Sequence, residues 1–144
     1  MAGASVAEHL NALTRTIIGA AIAVHRALGP GLLESAYLAC LSYELSRAGL
    51  RFEAQKEIPL VYGDLRVPCA YRADLLVEGC VIVEVKALDV VAPLHSRQLR
   101  TYIQLADCRV GLLLNFGRLT MRDGIERVVN RFPGGSEAAT PLAS

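Results

Sequence analysis

Four charged residues stand in two segments that otherwise have the composition of buried β-strands. Residues 81–87 read Val-Ile-Val-Glu-Val-Lys-Ala, and residues 71–77 read Tyr-Arg-Ala-Asp-Leu-Leu-Val. Side chains two apart on a strand share a face, so Glu84 and Lys86 point the same way, and Asp74 shares its face with Arg72. Such charges are costly to bury unless they pair or bind an ion.

The loop between the two segments sets the register of the acids. If Glu78-Gly79-Cys80 forms a hairpin loop, Val77 lies opposite Val81, and counting back places Asp74 directly opposite Glu84. Opposed Cβ atoms are about 4.5–5.5 Å apart, at which distance two carboxylates repel each other. A divalent cation with hard oxygen ligands would relieve the repulsion, with Lys86 as a second positive group. The alternative is a structural ion pair of Lys86 with one of the acids.

Helical segments add further candidates. Glu34 continues the apolar stripe of the second helix, although a carboxylate in a first turn is also favoured by the helix dipole alone. Gln98 and Tyr102 lie four residues apart on one face of the third helix, where each by itself is compatible with ordinary packing. His25 is expected to be a hydrogen-bonded packing histidine rather than a base.

The elements that carry these residues follow from periodicity and turn signals. The sequence predicts one α/β (α+β) domain over residues 1–131, with a mixed sheet flanked by helices, and a disordered tail over 132–144. We expect helices at 8–28, 33–48 and 93–106, strands at 52–62, 66–77, 81–87 and 109–116, and weak strands at 119–121 and 125–129.

Composition excludes several classes of protein. A chain of 144 residues has room for one core. It has no apolar run near the roughly 20 residues of a membrane span and no secretory signal, so we expect a cytoplasmic protein without a membrane partner. The four cysteines form no CxxC pair, so we expect reduced, mostly buried thiols. A net charge of +1 is not that of a strongly basic nucleic-acid binder.

The motifs resemble a known family. Residues 31–37, Gly-Leu-Leu-Glu-Ser-Ala-Tyr, match the signature of the GxxExxY proteins, a bacterial family within the PD-(D/E)XK nuclease superfamily. Residues 71–77 and 83–87 resemble the later motifs of the same family, in the same order. The resemblance covers roughly residues 10–130, and Ala73 stands where the superfamily name has a proline.

This resemblance implies an αβββαβ restriction-endonuclease-like core. Asp74 and Glu84 would be metal-binding acids, Lys86 the lysine of the ExK motif, and Glu34 a further acid near the metal. Gln98 and Tyr102 resemble the QxxxY element of one branch. Near these, Arg72, Arg97 and Arg100 are expected to contact the phosphate backbone.

The resulting hypothesis is a nuclease that depends on Mg²⁺ or Mn²⁺ and acts on DNA. One alternative is a catalytically silent module on the same fold that binds nucleic acid or protein. Another is a structural or dimerising domain with a buried ion pair, and a homodimer is compatible with all three.

Overall fold

The computed structural model describes residues 2–133, and the side chains of residues 5–133. Two helices precede three strands, and a third helix then leads to the last two strands. The helices are α1 (Ala2–Leu28), α2 (Glu34–Arg47) and α3 (Pro93–Leu105), and the strands are β1 (Phe52–Tyr62), β2 (Leu65–Val77), β3 (Val81–Lys86), β4 (Val110–Asn115) and β5 (Ile125–Val129). No helix in this range has the length and hydropathy that a membrane span requires.

The five strands form one mixed sheet in the order β1-β2-β3-β4-β5. Strands β3 and β4 are parallel and joined through α3, whereas the other neighbouring pairs are antiparallel. The expected αβββαβ order and mixed sheet are confirmed. Because β3 and β4 are parallel, their carboxyl ends meet at one edge, where Lys86 lies beside Asn115.

Helices cover both faces of the sheet. Val81, Val83 and Val85 are buried toward α1 and α2, while Ile82 is buried toward α3. Apart from Glu84 and Lys86, strand β3 is therefore apolar, because both of its faces are covered. Gly111 lets α3 approach closely, since a Cβ there would lie 2.8 Å from the Leu99 side chain.

Some boundaries differ from those that the sequence predicts. Helix α1 extends back to Ala2, and residues 119–121 form turns rather than a strand, because Met121 packs into the core at a bend. Phe132, assigned above to the tail, packs against the core instead. The rest of the predicted disordered tail, from residue 134, lies outside the described residues. All four thiols are free, but only Cys108 is buried, and Cys69 is exposed on the β1–β2 hairpin.

The β1–β2 hairpin contains an irregularity that positions the candidate site. Pairing continues on both sides of Gln55 and Asp74, yet Gln55 has a left-handed backbone with a φ of 53°. Leu75 packs toward α1 and α2, whereas Ala73, two residues earlier, packs toward α3. The alternation of faces along β2 is thus interrupted at Asp74.

Candidate functional site

Asp74 and Glu84 meet across the β2–β3 hairpin in the register that the sequence predicts. Val77 pairs with Val81 and Leu75 with Val83, so one further step places Asp74 opposite Glu84. The backbone hydrogen bonds between β2 and β3 end there, and the two carboxylates accept the next backbone N–H groups instead. The Asp74 N–H donates to Glu84 Oε2 at 3.0 Å, and the Val85 N–H donates to Asp74 Oδ2 at 2.8 Å. Each carboxylate is therefore held by the backbone of the opposite strand.

Glu84 is buried, and Asp74 beside it is half-buried. Glu84 is 8% exposed, and burial, followed by repulsion from Asp74, raises its pKa to about 8. Burial also raises the pKa of Asp74, although the Val85 N–H and the charge of Lys86 act in the opposite direction. Without a cation the pair therefore holds a proton near neutral pH, because burial and mutual repulsion penalise its charged forms.

Lys86 lies on the same face of β3 as Glu84. Val83 and Val85 point into the core beneath α1 and α2, so by alternation the two charged residues face α3. Lys86 is half-buried, and its charge lowers the pKa of both carboxyl groups. Within residues 2–133 its ammonium forms no ion pair shorter than 4 Å. This geometry speaks against the structural ion pair considered above.

Glu34 is the first residue of α2, and the buried side chain of Tyr37 holds the preceding loop in place by hydrogen bonds. Tyr37 stacks on Phe116 with ring centroids 4.6 Å apart. Its hydroxyl accepts a bond from the Leu32 N–H at 3.1 Å and donates to the Gly29 carbonyl. Glu34 itself is exposed, and its negative charge contributes to the raised pKa of Asp74. Its proposed role at a metal stays a prediction.

His25 has the packing role that was favoured for it. The side chain is 7% exposed, and its Nε2 is hydrogen-bonded to the Arg118 carbonyl at 2.8 Å. This contact ties α1 to the segment after β4.

Helix α3 brings one of its two candidates toward the acids. Tyr102 packs against the cluster that contains Ala73 and Ile82, and its ring lies 5.4 Å from that of Tyr71. Burial raises the pKa of Tyr102, and the negative charges of Glu84 and Asp74 add to this rise. Gln98, one turn earlier, is exposed to solvent.

Arg72 does not share a face with Asp74, contrary to the expectation. Tyr71 and Ala73 both face α3, so Arg72 between them points to the other side. There Arg72 is exposed, and its Nη2 lies 3.6 Å from Oε2 of Glu57. The interruption at Asp74 is the physical reason, because it inverts the alternation on which the expectation rested.

Of the other two arginines, Arg100 lies on the flank of α3 that faces β5. Ser96 bonds to Glu126 of β5 at 2.6 Å, whereas Tyr102 contacts Tyr71 of β2. Arg100 follows Ser96 by four residues and therefore shares its flank, and Arg97 is exposed. The structure turns Arg100 away from the acids and leaves Arg97 in solvent, and the contacts of both with phosphate stay a prediction.

Asn115 is a positioning residue that was missed in the sequence. It is 1% exposed at the end of β4, where its Oδ1 accepts bonds from the N–H groups of Leu88 (2.8 Å) and Gly117 (3.0 Å). Its Nδ2 donates to the Leu88 carbonyl at 2.8 Å. Asn115 thereby fixes the chain just after Lys86. A single polar residue at the end of a continuously apolar strand was the available signal.

Replacing Asn115 by alanine is expected to lower the free energy of unfolding by about 2–4 kcal/mol, because three bonds to buried backbone groups are lost. Urea denaturation at fixed pH measures the loss. Asn130→Ala is the matched control, since that side chain makes a single bond, to the Cys108 carbonyl at 3.1 Å. Equal losses in the two variants would contradict the positioning role.

The donor set fits a hard divalent cation of the magnesium type. Within residues 2–133 no group of three or more His, Cys, Asp or Glu side chains is arranged to hold a metal. Asp74 and Glu84 offer two adjacent carboxylates, and no positive side chain among the described residues lies within 4 Å of them. Mg²⁺ is commonly held by one or two carboxylates, with water and substrate phosphate as the remaining ligands.

Comparisons with known proteins bear on the fold and the class of function. Searches of curated proteins and of solved structures find no match. The sequence model of one family, the PD-(D/E)XK nuclease superfamily, matches residues 11–128. This match spans the whole sheet except the last residue of β5, and it includes Asp74, Glu84 and Lys86. The fold and the family match together show that this chain belongs to the PD-(D/E)XK nuclease superfamily.

Proposed function

We propose that the protein is a metal-dependent nuclease that hydrolyses phosphodiester bonds of DNA with Mg²⁺ or Mn²⁺. Membership of the superfamily supports a nuclease-type function in general. The finer assignment to the GxxExxY branch rests on Gly31, Glu34 and Tyr37, whose spacing matches the signature of that branch.

One observation carries the proposal: the buried Glu84 carboxylate lies beside the half-buried Asp74 carboxylate, and no cationic side chain among the described residues lies within 4 Å of either. Asp74 and Glu84 bond to the opposite backbones, and the pKa of each is raised by burial. A structural pair of this kind would destabilise the fold, because burying a carboxylate costs free energy unless the charge is compensated. A divalent cation between the two carboxylates would supply the compensation.

The roles of the residues follow from their places. Asp74 and Glu84 would hold the ion, with the Val85 carbonyl and, through water, Glu34. The ion would supply Lewis acidity toward the phosphate. Lys86, on the face shared with Glu84, would orient the attacking water and stabilise the negative charge that develops on the phosphate.

The remaining candidates would act on the substrate. Tyr102 and Gln98 would position the strand or Lys86, with Tyr102 the nearer of the two to the acids. Arg72, Arg97 and Arg100 lie outside this cluster, so their proposed contacts are with phosphates farther along the strand.

A cleavage panel tests the proposal. Single- and double-stranded DNA and RNA are incubated with the full chain in Mg²⁺, Mn²⁺, Ca²⁺ or a chelator. We expect cleavage of DNA in Mg²⁺ or Mn²⁺ and complete loss with the chelator. Cleavage that survives chelation would contradict the metal requirement. Metal binding without cleavage of any substrate would favour the catalytically silent module instead.

A further inference from the structure

An aromatic pair lies beside the two acids and is open to solvent. Tyr71 precedes Asp74 by three residues on β2 and is 39% exposed. Its ring centroid lies 5.4 Å from that of Tyr102 on α3, with the planes tilted by 48°. Two elements on either side of the site thus each contribute one ring.

Core packing accounts for the position of Tyr102 but not for the exposed ring of Tyr71. Tyr102 is partly buried against the cluster beneath α3, and Ile58, the β1 partner of Tyr71, is 1% exposed. The core is therefore already closed below Tyr71. Its own ring lies against Tyr102, and 39% of the side chain remains exposed. An aromatic ring that is held in place and reaches solvent is the kind of surface on which an unpaired base can stack.

We propose that the Tyr71–Tyr102 pair is a stacking platform for a nucleobase next to the scissile phosphate, and that the enzyme acts on single-stranded DNA or unpaired strand ends. This inference rests on the proposed nuclease function and specifies its substrate. A base inside a duplex has both faces covered by its neighbours, so only an unpaired base can lie on a tyrosine ring.

The charge of the molecule favours the same substrate. Duplex binding relies largely on the neutralisation of phosphates by positive side chains. Here the net charge is +1, Arg72 lies beside Glu57 on the other face of the sheet, and Arg100 lies on the flank of α3 that faces β5. Stacking on aromatic rings supplies affinity that does not depend on charge.

Two oligomers of equal charge isolate the stacking contribution. Binding of oligo(dT) and of an abasic oligomer of the same length is measured by fluorescence anisotropy in Ca²⁺, and cleavage of oligo(dT) is measured in Mg²⁺. We expect the wild-type protein to bind oligo(dT) about 10-fold more tightly than the abasic oligomer, and Tyr71→Ala to remove this preference. In cleavage, Tyr71→Ala should raise KM about 10-fold and change kcat little.

Further variants separate stacking from packing. Tyr71→Phe keeps the ring and should retain the preference, whereas Tyr71→Leu keeps apolar bulk without a ring and should lose it. Tyr43→Ala is the matched control, because Tyr43 is 62% exposed on α2, which covers the face of the sheet opposite to Tyr102. Circular dichroism checks that each variant is folded.

The outcomes also distinguish this inference from the proposed function. The stacking role is overturned if the preference for oligo(dT) survives Tyr71→Ala, if Tyr71→Leu behaves like wild type, or if closed circular duplex is cut faster than single strands. A wild-type protein that cleaves nothing contradicts the nuclease function, while the binding ratio of the two oligomers still tests the platform.

Discussion

Replacing Lys86 by alanine is expected to reduce kcat on DNA by roughly 10²- to 10³-fold. The ammonium stands beside the acids on the α3 face of β3, where it would orient water and stabilise charge in the transition state. The fold should be little affected, since Lys86 makes no ion pair shorter than 4 Å with any described residue. Steady-state cleavage in Mg²⁺, together with thermal unfolding, measures both effects.

The sequence offers a matched control for this variant. Lys56 is its only other lysine, and it pairs with Glu53 at 3.0 Å on the surface of β1. Lys56→Ala should leave kcat unchanged, because that side chain lies outside the acid pair. A Lys86→Ala protein that cleaves within a few-fold of wild type would rule out the role assigned to this residue.

Replacing Glu84 by glutamine is expected to abolish metal binding and cleavage and yet to stabilise the metal-free protein at high pH. The glutamine oxygen can still accept the bond from the Asp74 N–H, so the local structure is retained. The substitution removes the negative charge of Glu84, which burial and repulsion from Asp74 both disfavour. Isothermal titration with Mg²⁺ and thermal unfolding without metal measure the two effects.

The pH dependence of that stabilisation has a defined sign. The pKa of Glu84 rises from an ordinary value of 4.5 to about 8 on folding. Between these values the folded protein binds more protons than the unfolded chain, so wild-type stability falls as the pH rises through this window. The glutamine variant should match wild type near pH 4.5 and exceed it at pH 9 by roughly 5 kcal/mol, because each pKa unit between the two values corresponds to about 1.4 kcal/mol.

Asp74→Asn provides a second test of the same charge balance. Its side-chain oxygen can still accept the bond from the Val85 N–H, and the change should also stabilise the metal-free protein at high pH. A structural domain with a buried ion pair predicts the reverse, namely lower stability in both variants and no effect of Mg²⁺ on wild type. That pattern of results would contradict the proposed metal site.

Local sequence rules were sufficient to predict how Asp74, Glu84 and Lys86, the centre of the candidate site, lie relative to one another. A three-residue turn, Glu78-Gly79-Cys80, set the hairpin register, and the side-chain alternation of β3 placed Glu84 and Lys86 on one face. Both inferences succeeded because a short loop leaves few possible registers and an uninterrupted strand has a fixed period of two. The packing role of His25 was likewise predicted from its place near the end of α1.

The surroundings of the site were decided by tertiary structure. Arg72 was expected beside Asp74, but the left-handed backbone at Gln55 and the break in alternation at Asp74 turn it to the opposite face. No local signal in β2 marks that break, because it arises from bonds between the two acids and the facing strands.

The rotation of α3 is a second feature that the sequence left open. Leu99 and Ile103 pack on the sheet, and this contact sends Tyr102 toward Tyr71 and Arg100 toward β5. Spacing along a helix states which residues share a face, but only packing decides where that face points. The sequence by itself therefore determined the three-residue centre and the order of elements. The fold decided which side chains surround that centre, because those contacts join segments far apart in the chain.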